Sequence, residues 1–234
     1  LMLRFNAALA SMSAQDFVRE VLLARVGMRE LHVGANFRFG HRRLGDVDLL
    51  RRMGSELGFE VEVMPPVELD GQRISSTRIR QLLAEGDFAA AAPLLATPFC
   101  MCGHVAYGNQ LGRELGFPTA NLHLGQRVSP IMGIFAVRIG LGDGPTSWPG
   151  VASLGTRPTV NGREPLLEAH LFDFAGDLYG RRISVEFVAK LRDEEKFSDL
   201  ETLTAQMHRD ASAARDILGM NPKLTPSDTQ TSDA

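Results

Sequence analysis

The chain has 234 residues, a hydrophobic share of 44%, a charged share of 23% and a formal net charge of -3. These values are ordinary for a globular protein, and they allow one large domain or two small ones. A duplex-binding module would show a basic excess, so nucleic acid is not an expected partner. No apolar run approaches the ~20 residues of a membrane span, so no membrane partner is expected either.

The first hundred residues alternate between helix and strand patterns. Apolar side chains recur at helical spacing in some segments and at every second residue in others, and capping residues or glycines mark the ends. The pattern predicts, in chain order, helix 14–26, strand 30–34, helix 46–58, strand 59–64, and helices 75–85 and 87–95. Strand, helix and strand in succession predict a βαβ unit with a parallel sheet, so this half is of the α/β class.

From Phe99 onward, glycines and prolines separate short alternating runs, which is typical of an antiparallel barrel or sandwich. The runs lie at 134–141, 150–154, 167–174 and 182–191. We therefore place the domain boundary near residues 96–98, which gives domains over 1–97 and 98–219.

The last part of the chain predicts one amphipathic helix and a tail. Ser198 and Glu201 form a capping-box pattern ahead of it. The apolar positions expected to face inward are Leu200, Leu203, Met207 and Ile217. Residues 220–234 are rich in Pro, Ser, Thr and Asp, so we expect a disordered tail there.

Two cysteines, Cys100 and Cys102, are separated by one residue. On a strand they would share a face, but neighbours this close rarely reach disulfide geometry. Buried or half-buried reduced thiols are the simpler interpretation, and a metal pair is the alternative, although no second ligand cluster accompanies them. We therefore expect a reducing compartment, the cytoplasm.

Residues 103–122, GHVAYGNQLGRELGFPTANL, contain a candidate phosphate site. Gly108, Gly112 and Gly116 recur at every fourth position, and glycines let backbone N–H groups approach phosphate oxygens closely. Arg113 would add a fixed positive fork. The pattern differs from the Walker motif, which needs Gly-Lys-Ser or Gly-Lys-Thr. A glycine-rich hairpin turn followed by a Pro-Thr turn would use the same residues, so both interpretations stay open on this evidence.

Thr119 and Asn121 present a hydroxyl and an amide oxygen on one side of an extended segment. Hard oxygen donors of this kind suit Mg²⁺, which keeps several waters and bridges substrate phosphates. The pair is therefore a candidate metal site.

The alternating run LEAHLFDF, at 167–174, places Glu168 and His170 on one face with Phe172 and Phe174. A glutamate that shares a face with two phenylalanines is less typical of a solvated position, which favours a functional site. A solvated, outward-pointing glutamate is the alternative.

Three blocks together resemble the signatures of riboflavin kinase, in the order that the family shows. They are GHVAYGNQLGRELGFPTANL at 103–122, SLGTRPTVNG at 153–162 and LEAHLFDFAGDLYG at 167–180. The resemblance runs from about 99 to 218, and the PTAN block is its most specific part. It implies a six-stranded antiparallel β-barrel with a C-terminal helix, which binds riboflavin, ATP and Mg²⁺ and forms FMN.

The resemblance also implies roles for single residues. Thr119 and Asn121 match the pair that contacts Mg²⁺ and phosphate, and Glu168 matches the catalytic base, which would accept the proton of the ribityl hydroxyl. His170 is a weaker candidate for that base, because a carboxylate serves phosphoryl transfer better. The remaining positions implied at the ATP phosphates are Gly108, Gly112 and Arg113.

Two further features near these blocks keep alternatives open. Arg157 either helps to hold the substrate loops or is a plain turn residue. The charged run at 193–196 resembles the family's loop before the last helix, and it is otherwise a solvated turn.

Residues 31–40, LHVGANFRFG, and 74–80, ISSTRIR, resemble the adenylyltransferase module of the bifunctional bacterial riboflavin kinase/FAD synthetase. That module is a Rossmann-like nucleotidyltransferase, which converts FMN and ATP into FAD and pyrophosphate. The resemblance implies that Asn36 lies near the nucleotide. Hydroxyls and free N–H groups at a helix start bind phosphate, and arginine steadies pyrophosphate; an N-cap with an incidental arginine is the alternative. The implied residues are Ser75, Ser76, Thr77 and Arg80.

The family's module opens with a His-x-Gly-His motif, which does not occur in these 234 residues. His32 and His41 lie in other contexts. We therefore expect the chain to lack roughly the first 90 residues of the family's protein, about half of an α/β domain of common size, as a fragment or as a remnant. FAD synthesis by this chain is accordingly not expected.

A different class of function is a non-catalytic flavin-binding regulator or scaffold. The presence of a base and a metal pair argues against this alternative.

Overall fold

The computed structural model describes residues 2–108, 112, 115–125, 129–142, 147–159 and 162–220. It divides into two compact units, Leu1–Ile74 and Ser75–Ala234. The predicted boundary near 96–98 does not coincide with this division.

The first unit contains the predicted βαβ arrangement. Strands β1 and β2 pair in parallel, from Glu30 opposite Glu60 to Gly34 opposite Met64. Helix α3 lies between them in the chain. The elements are α1 Ala7–Ser11, α2 Ala14–Asp16 with a π-helical continuation Phe17–Leu23, β1 Glu30–Gly34, a 3₁₀ turn His41–Arg43, α3 Val47–Leu57, β2 Glu60–Met64, and the strands β3 Glu68–Leu69 and β4 Gln72–Arg73.

Helix α3 shows why the ends of these elements could be predicted from the sequence. Asp46 accepts a hydrogen bond from the backbone N–H of Leu49 at 2.9 Å, which satisfies one of the free donors at the helix start. Gly58 ends the helix in the left-handed conformation, with φ of 79°. The apolar side of the helix, including Leu50 and Met53, packs in the core of this unit.

The second unit begins with two helices, α4 Ser76–Glu85 and α5 Phe88–Leu95, capped by Ser75 and Asp87. Their apolar faces pack into the core of the following barrel. The ring of Phe88 lies 5.9 Å from that of Phe135 and 5.8 Å from that of Phe187. The structural division therefore falls before α4. The predicted boundary lay after α5 because the sequence does not show which core an apolar helix face will join.

The barrel confirms the predicted six-stranded antiparallel architecture. Its strands close in the order β10-β5-β6-β9-β8-β7. Alternate side chains point inward, and Phe135, Leu154, Leu167 and Ile183 are among those fully buried. The strands are β5 Cys100–Ala106, β6 Ala120–His123, β7 Gly133–Leu141, β8 Ser147–Thr159, β9 Gly162–Leu171 and β10 Arg182–Arg192.

The C-terminal helix, Leu200–Ile217, is present, but two details of its prediction were wrong. Asp199, not Ser198, is the N-cap, and it accepts from the backbone N–H of Thr202 at 2.8 Å. Leu200 and Ile217 are exposed, at 56% and 47%. The helix instead buries Ala211 and Ala214, together with Leu218 at its C-cap, against Phe117 and Phe172 on the outer side of the barrel.

Two further expectations concern partners and thiols. No helix among the described residues is long and apolar enough to cross a membrane. Cys100 and Cys102 are free thiols on β5, but both are exposed, whereas buried or half-buried thiols were expected. Residues 221–234 of the predicted tail lie outside the described residues.

Candidate active site

The register of the barrel brings two predicted site residues side by side. Asn121 on β6 lies directly opposite Glu168 on β9, and Glu168 in turn lies opposite Ser153 on β8. Directly opposed residues of an antiparallel pair have their Cβ atoms about 5 Å apart on the same face. Because the flanking Leu122, Leu167 and Ala169 are fully buried in the barrel core, this face is the outer one.

Asn121 is held in a tight environment. It is 4% exposed, and its Nδ2 donates to the carbonyl oxygen of Thr119 at 3.3 Å. Its Oδ1 is buried and has no hydrogen-bond partner within the described part of the chain. A Cβ atom at Gly108 would lie 2.6 Å from Asn121 Cγ, so only glycine fits beside this amide. An unsatisfied buried oxygen of this kind is suited to a cation.

The segment before β6 is fixed by contacts outside the strand ladder. The backbone N–H of Phe117 donates to the carbonyl of Gly112 at 2.7 Å, and a Cβ at Gly112 would overlap the carbonyl oxygen of Phe117. The Nδ1 atom of His170 lies 2.8 Å from the carbonyl oxygen of Pro118. Burial lowers the pKa of His170, with the charge of Arg215 acting in the same direction and the Pro118 contact opposing it. A largely neutral ring that is already committed to a carbonyl is a poor general base at that atom.

Two cavities meet at Thr119. One, of about 290 Å³, is lined by Glu168, Ser153 and Thr119 and lies under the C-terminal helix. The other, of about 640 Å³, is lined by Thr119 and Asn121, together with Tyr107 and Tyr179. The two tyrosine rings stack, with centroids 4.0 Å apart. The site therefore has room for two ligands, with a carboxylate on one side and an amide oxygen on the other.

A second carboxylate, Glu194, lines the Glu168 cavity. Burial raises the pKa of Glu194, and the negative charge of Glu168 raises it further. Its side chain lies against the backbone of Gly155, where a Cβ would overlap the carboxylate. The loop that carries Glu194 was singled out in the sequence, but neither its inward direction nor the need for glycine at 155 was visible there.

An ion pair anchors the C-terminal helix beside this cavity. Arg192 at the end of β10 donates from Nη2 to Asp210 at 2.7 Å and from Nε at 3.0 Å. Asp210 is 7% exposed. Both residues line the Glu168 cavity, so the pair fixes part of its wall.

The other predicted residues fall in different places. Ser75 caps α4, and its Oγ accepts from the backbone N–H of Arg78 at 3.2 Å. The exposed members of the same block are Ser76, Thr77 and Arg80. Asn36 is an exposed turn residue of the first unit, directly after β1. Arg113 and the side chain of Arg157 lie outside the described residues.

The tyrosines and Ser153 were missed by the sequence reasoning. Tyr107, Ser153 and Tyr179 each lie inside one of the three quoted blocks, but their residue types carry no distinctive signal. Their proximity to Thr119 arises only when the strands pair.

Fold and site define a barrel of the riboflavin kinase class, and comparison with known proteins shows the same. The chain matches the riboflavin kinase family over residues 95–218 and the FAD synthetase family over residues 1–78. It is 48% identical over 216 residues to a bifunctional riboflavin kinase/FMN adenylyltransferase of Pseudomonas fluorescens, covering 92% of this chain and 69% of that protein. It is 45% identical over 221 residues to the protein of that description from Escherichia coli K12, covering 94% and 70%.

The chain therefore belongs to the bifunctional riboflavin kinase/FMN adenylyltransferase family, with a riboflavin kinase domain and a partial FAD synthetase domain. It is also similar to a crystal structure described as a macrolide-efflux protein from Streptococcus pneumoniae. That similarity has a TM-score of 0.66 at 32% identity and covers 92% of this chain and 68% of the other.

Proposed function

We propose that the barrel transfers the γ-phosphoryl group of MgATP to the 5′-hydroxyl of riboflavin, producing FMN and ADP. One observation carries the proposal: the strand register places Asn121 opposite Glu168, with Thr119 at the junction of two cavities. The nucleotide would occupy the Asn121 cavity, and the ribityl chain of the flavin would enter the Glu168 cavity. We assign residues 98–219 to the kinase domain and 1–97 to the adenylyltransferase part, although α4 and α5, within the latter, pack in the barrel core.

The residues present fit a magnesium ion. Asn121 Oδ1 is a buried oxygen with no partner among the described residues, and the neighbouring Thr119 would add a hydroxyl oxygen. Glycine at 108 leaves the amide unobstructed on one side. Mg²⁺ bound there would neutralise negative charge on the nucleotide phosphates.

Glu168 supplies the acid–base chemistry. Its carboxylate accepts the proton of the attacking hydroxyl while the new O–P bond forms. The bond between the γ-phosphorus and its bridging oxygen breaks at the same time, and ADP leaves with that electron pair. Positioned proton transfer of this kind contributes roughly 10²- to 10⁴-fold to the rate.

The test is chromatographic detection of FMN after incubation with riboflavin and MgATP. We expect Glu168→Gln to lower kcat by about 10²-fold or more, while riboflavin affinity stays within about twofold. Glu186→Gln is the matched control, because Glu186 lies on β10 and lines neither cavity. Unchanged turnover in Glu168→Gln would remove this residue from the mechanism. Tight riboflavin binding by the unaltered chain without any FMN would favour a non-catalytic flavin-binding regulator.

A further inference from the structure

Residues 118 and 119, the two positions before β6, have their carbonyl groups held by side chains. Strand β6 begins at Ala120, so these residues gain no strand pairing. The carbonyl oxygen of Pro118 accepts from His170 at 2.8 Å, and the carbonyl oxygen of Thr119 accepts from Asn121 at 3.3 Å. Two consecutive peptide planes are therefore oriented by hydrogen bonds from side chains.

We propose that His170 is a positioning residue, which ties the Thr119 segment to the strand that carries Glu168. This inference rests on the proposed kinase function. His170 and Glu168 are two residues apart on β9 and share its outer face. A hydrogen bond from His170 to the peptide directly before Thr119 thus links the proposed metal-binding segment to the proposed base.

The surroundings of His170 restrict its ring. Phe117 and Phe172 contact it edge-on, with centroid distances of 5.2 Å and 5.7 Å. Rotation of the imidazole away from Pro118 would disturb both aromatic contacts. The link between β9 and the Thr119 segment is therefore rigid, and a rigid support is what a precise site requires.

The hydrogen bond also defines the tautomer. A carbonyl oxygen only accepts, so Nδ1 of His170 carries the hydrogen. Burial lowers the pKa of His170, which favours the neutral ring with its single N–H directed to Pro118. His170 thus acts through the backbone of its neighbour and does not transfer the substrate proton from this atom.

His208 provides a matched control, because its ring also contacts Phe117. It lies on the C-terminal helix, and its ring is 4.9 Å from that of Phe117. Within the described residues its ring makes no hydrogen bond to the Thr119 segment. It therefore shares the Phe117 contact of His170 but not the link to Pro118.

The experiment compares His170→Phe, His170→Asn and His208→Phe in the full chain. Phenylalanine fills the space without a donor, whereas the asparagine amide can donate from near the position of Nδ1. Calorimetry would measure binding of MgADP and, separately, of riboflavin, and steady-state assays would give KM for MgATP and kcat.

We expect His170→Phe to weaken MgADP binding and raise KM for MgATP by about tenfold, as for the loss of one hydrogen bond. His170 also lines the flavin cavity, but phenylalanine fills the same space there, so riboflavin affinity should change by less than about twofold. His170→Asn should recover MgADP affinity to within about threefold of the unaltered chain, and His208→Phe should leave it unchanged.

Three results would overturn the inference. If His170→Phe weakens MgADP binding no more than it weakens riboflavin binding, the role of His170 is a general structural one. His170→Asn could be as impaired as His170→Phe, which would exclude the donor. ¹⁵N NMR of the unaltered chain could show the hydrogen of His170 on Nε2. The kinase proposal alone fails if the unaltered chain binds MgADP but forms no FMN. If the unaltered chain does not bind MgADP, both the kinase proposal and the positioning role of His170 are contradicted.

Discussion

Gly108→Ala tests whether the space around Asn121 is as limited as the structure shows. The added Cβ would lie 2.6 Å from Cγ and Nδ2 of Asn121 and 2.7 Å from Oδ1. Carbon atoms pack best at about 3.5–4.0 Å, so the amide would have to retreat by about 1 Å. The backbone cannot follow easily, because the adjacent Ala120 and Leu122 are buried in the barrel core.

Two costs follow from that displacement. Overpacking costs about 1–3 kcal/mol, and loss of the hydrogen bond from Asn121 to the Thr119 carbonyl costs about 1 kcal/mol. We expect the free energy of unfolding to fall by about 2–4 kcal/mol in total. MgADP affinity should fall by at least about tenfold, because Oδ1 of Asn121 is displaced, while riboflavin binding should be nearly unchanged.

Urea unfolding of the barrel can be followed through Trp148, the single tryptophan of the chain. It lies on β8 with its ring 5.1 Å from that of Phe174, so its fluorescence reports on this unit. Asn121→Ala removes Cγ, Nδ2 and Oδ1, the three atoms that the new Cβ would overlap. It therefore serves as a second background in which to measure the cost of Gly108→Ala. In that background the cost of Gly108→Ala should fall below about 0.5 kcal/mol, so the coupling energy between the two positions should be at least about 1.5 kcal/mol. Equal costs in the two backgrounds would refute the steric argument.

Three more predictions concern the barrel core, the second carboxylate and the first unit. Phe88→Ala should lower the free energy of unfolding by about 3–5 kcal/mol, measured through Trp148 fluorescence, because Phe88 is buried in the barrel core; a loss below about 1 kcal/mol would show that α5 does not complete that core. Folding raises the pKa of Glu194, so its ionised form opposes folding above the ordinary glutamate range. Glu194→Gln should therefore stabilise the barrel near neutral pH, and the gain should vanish in acid where the carboxyl is protonated in both states; a gain that persists in acid would contradict this cause. The 234-residue chain should form no measurable FAD from FMN and MgATP, since it contains no His-x-Gly-His motif; FAD detected by chromatography would contradict that prediction.

Local periodicity and capping predicted the main helices, the parallel strand pair and four of the six barrel strands, whereas α1, β3, β4, β5 and β6 were not predicted from the pattern. Asp46, Gly58 and Ser75 mark helix ends because their side chains or backbone freedom act within a few residues of the chain. The alternation in LEAHLFDF correctly separated Glu168 and His170 from the core residues beside them, because successive strand residues point to opposite faces. At the start of the C-terminal helix, Ser198 and Asp199 are both residue types that cap helices. The sequence pattern did not show that Asp199 would be the N-cap.

The arrangement of the site depended on contacts between distant parts of the chain. Pairing of β6 with β9 placed Asn121 opposite Glu168, and a register shift of one residue would have turned one of them into the core. Only tertiary packing could show that Phe88 joins the barrel core and that Glu194 enters the Glu168 cavity. Sequence periodicity determines which side of an element is apolar, whereas the partner of that side is selected by the packing of the whole fold.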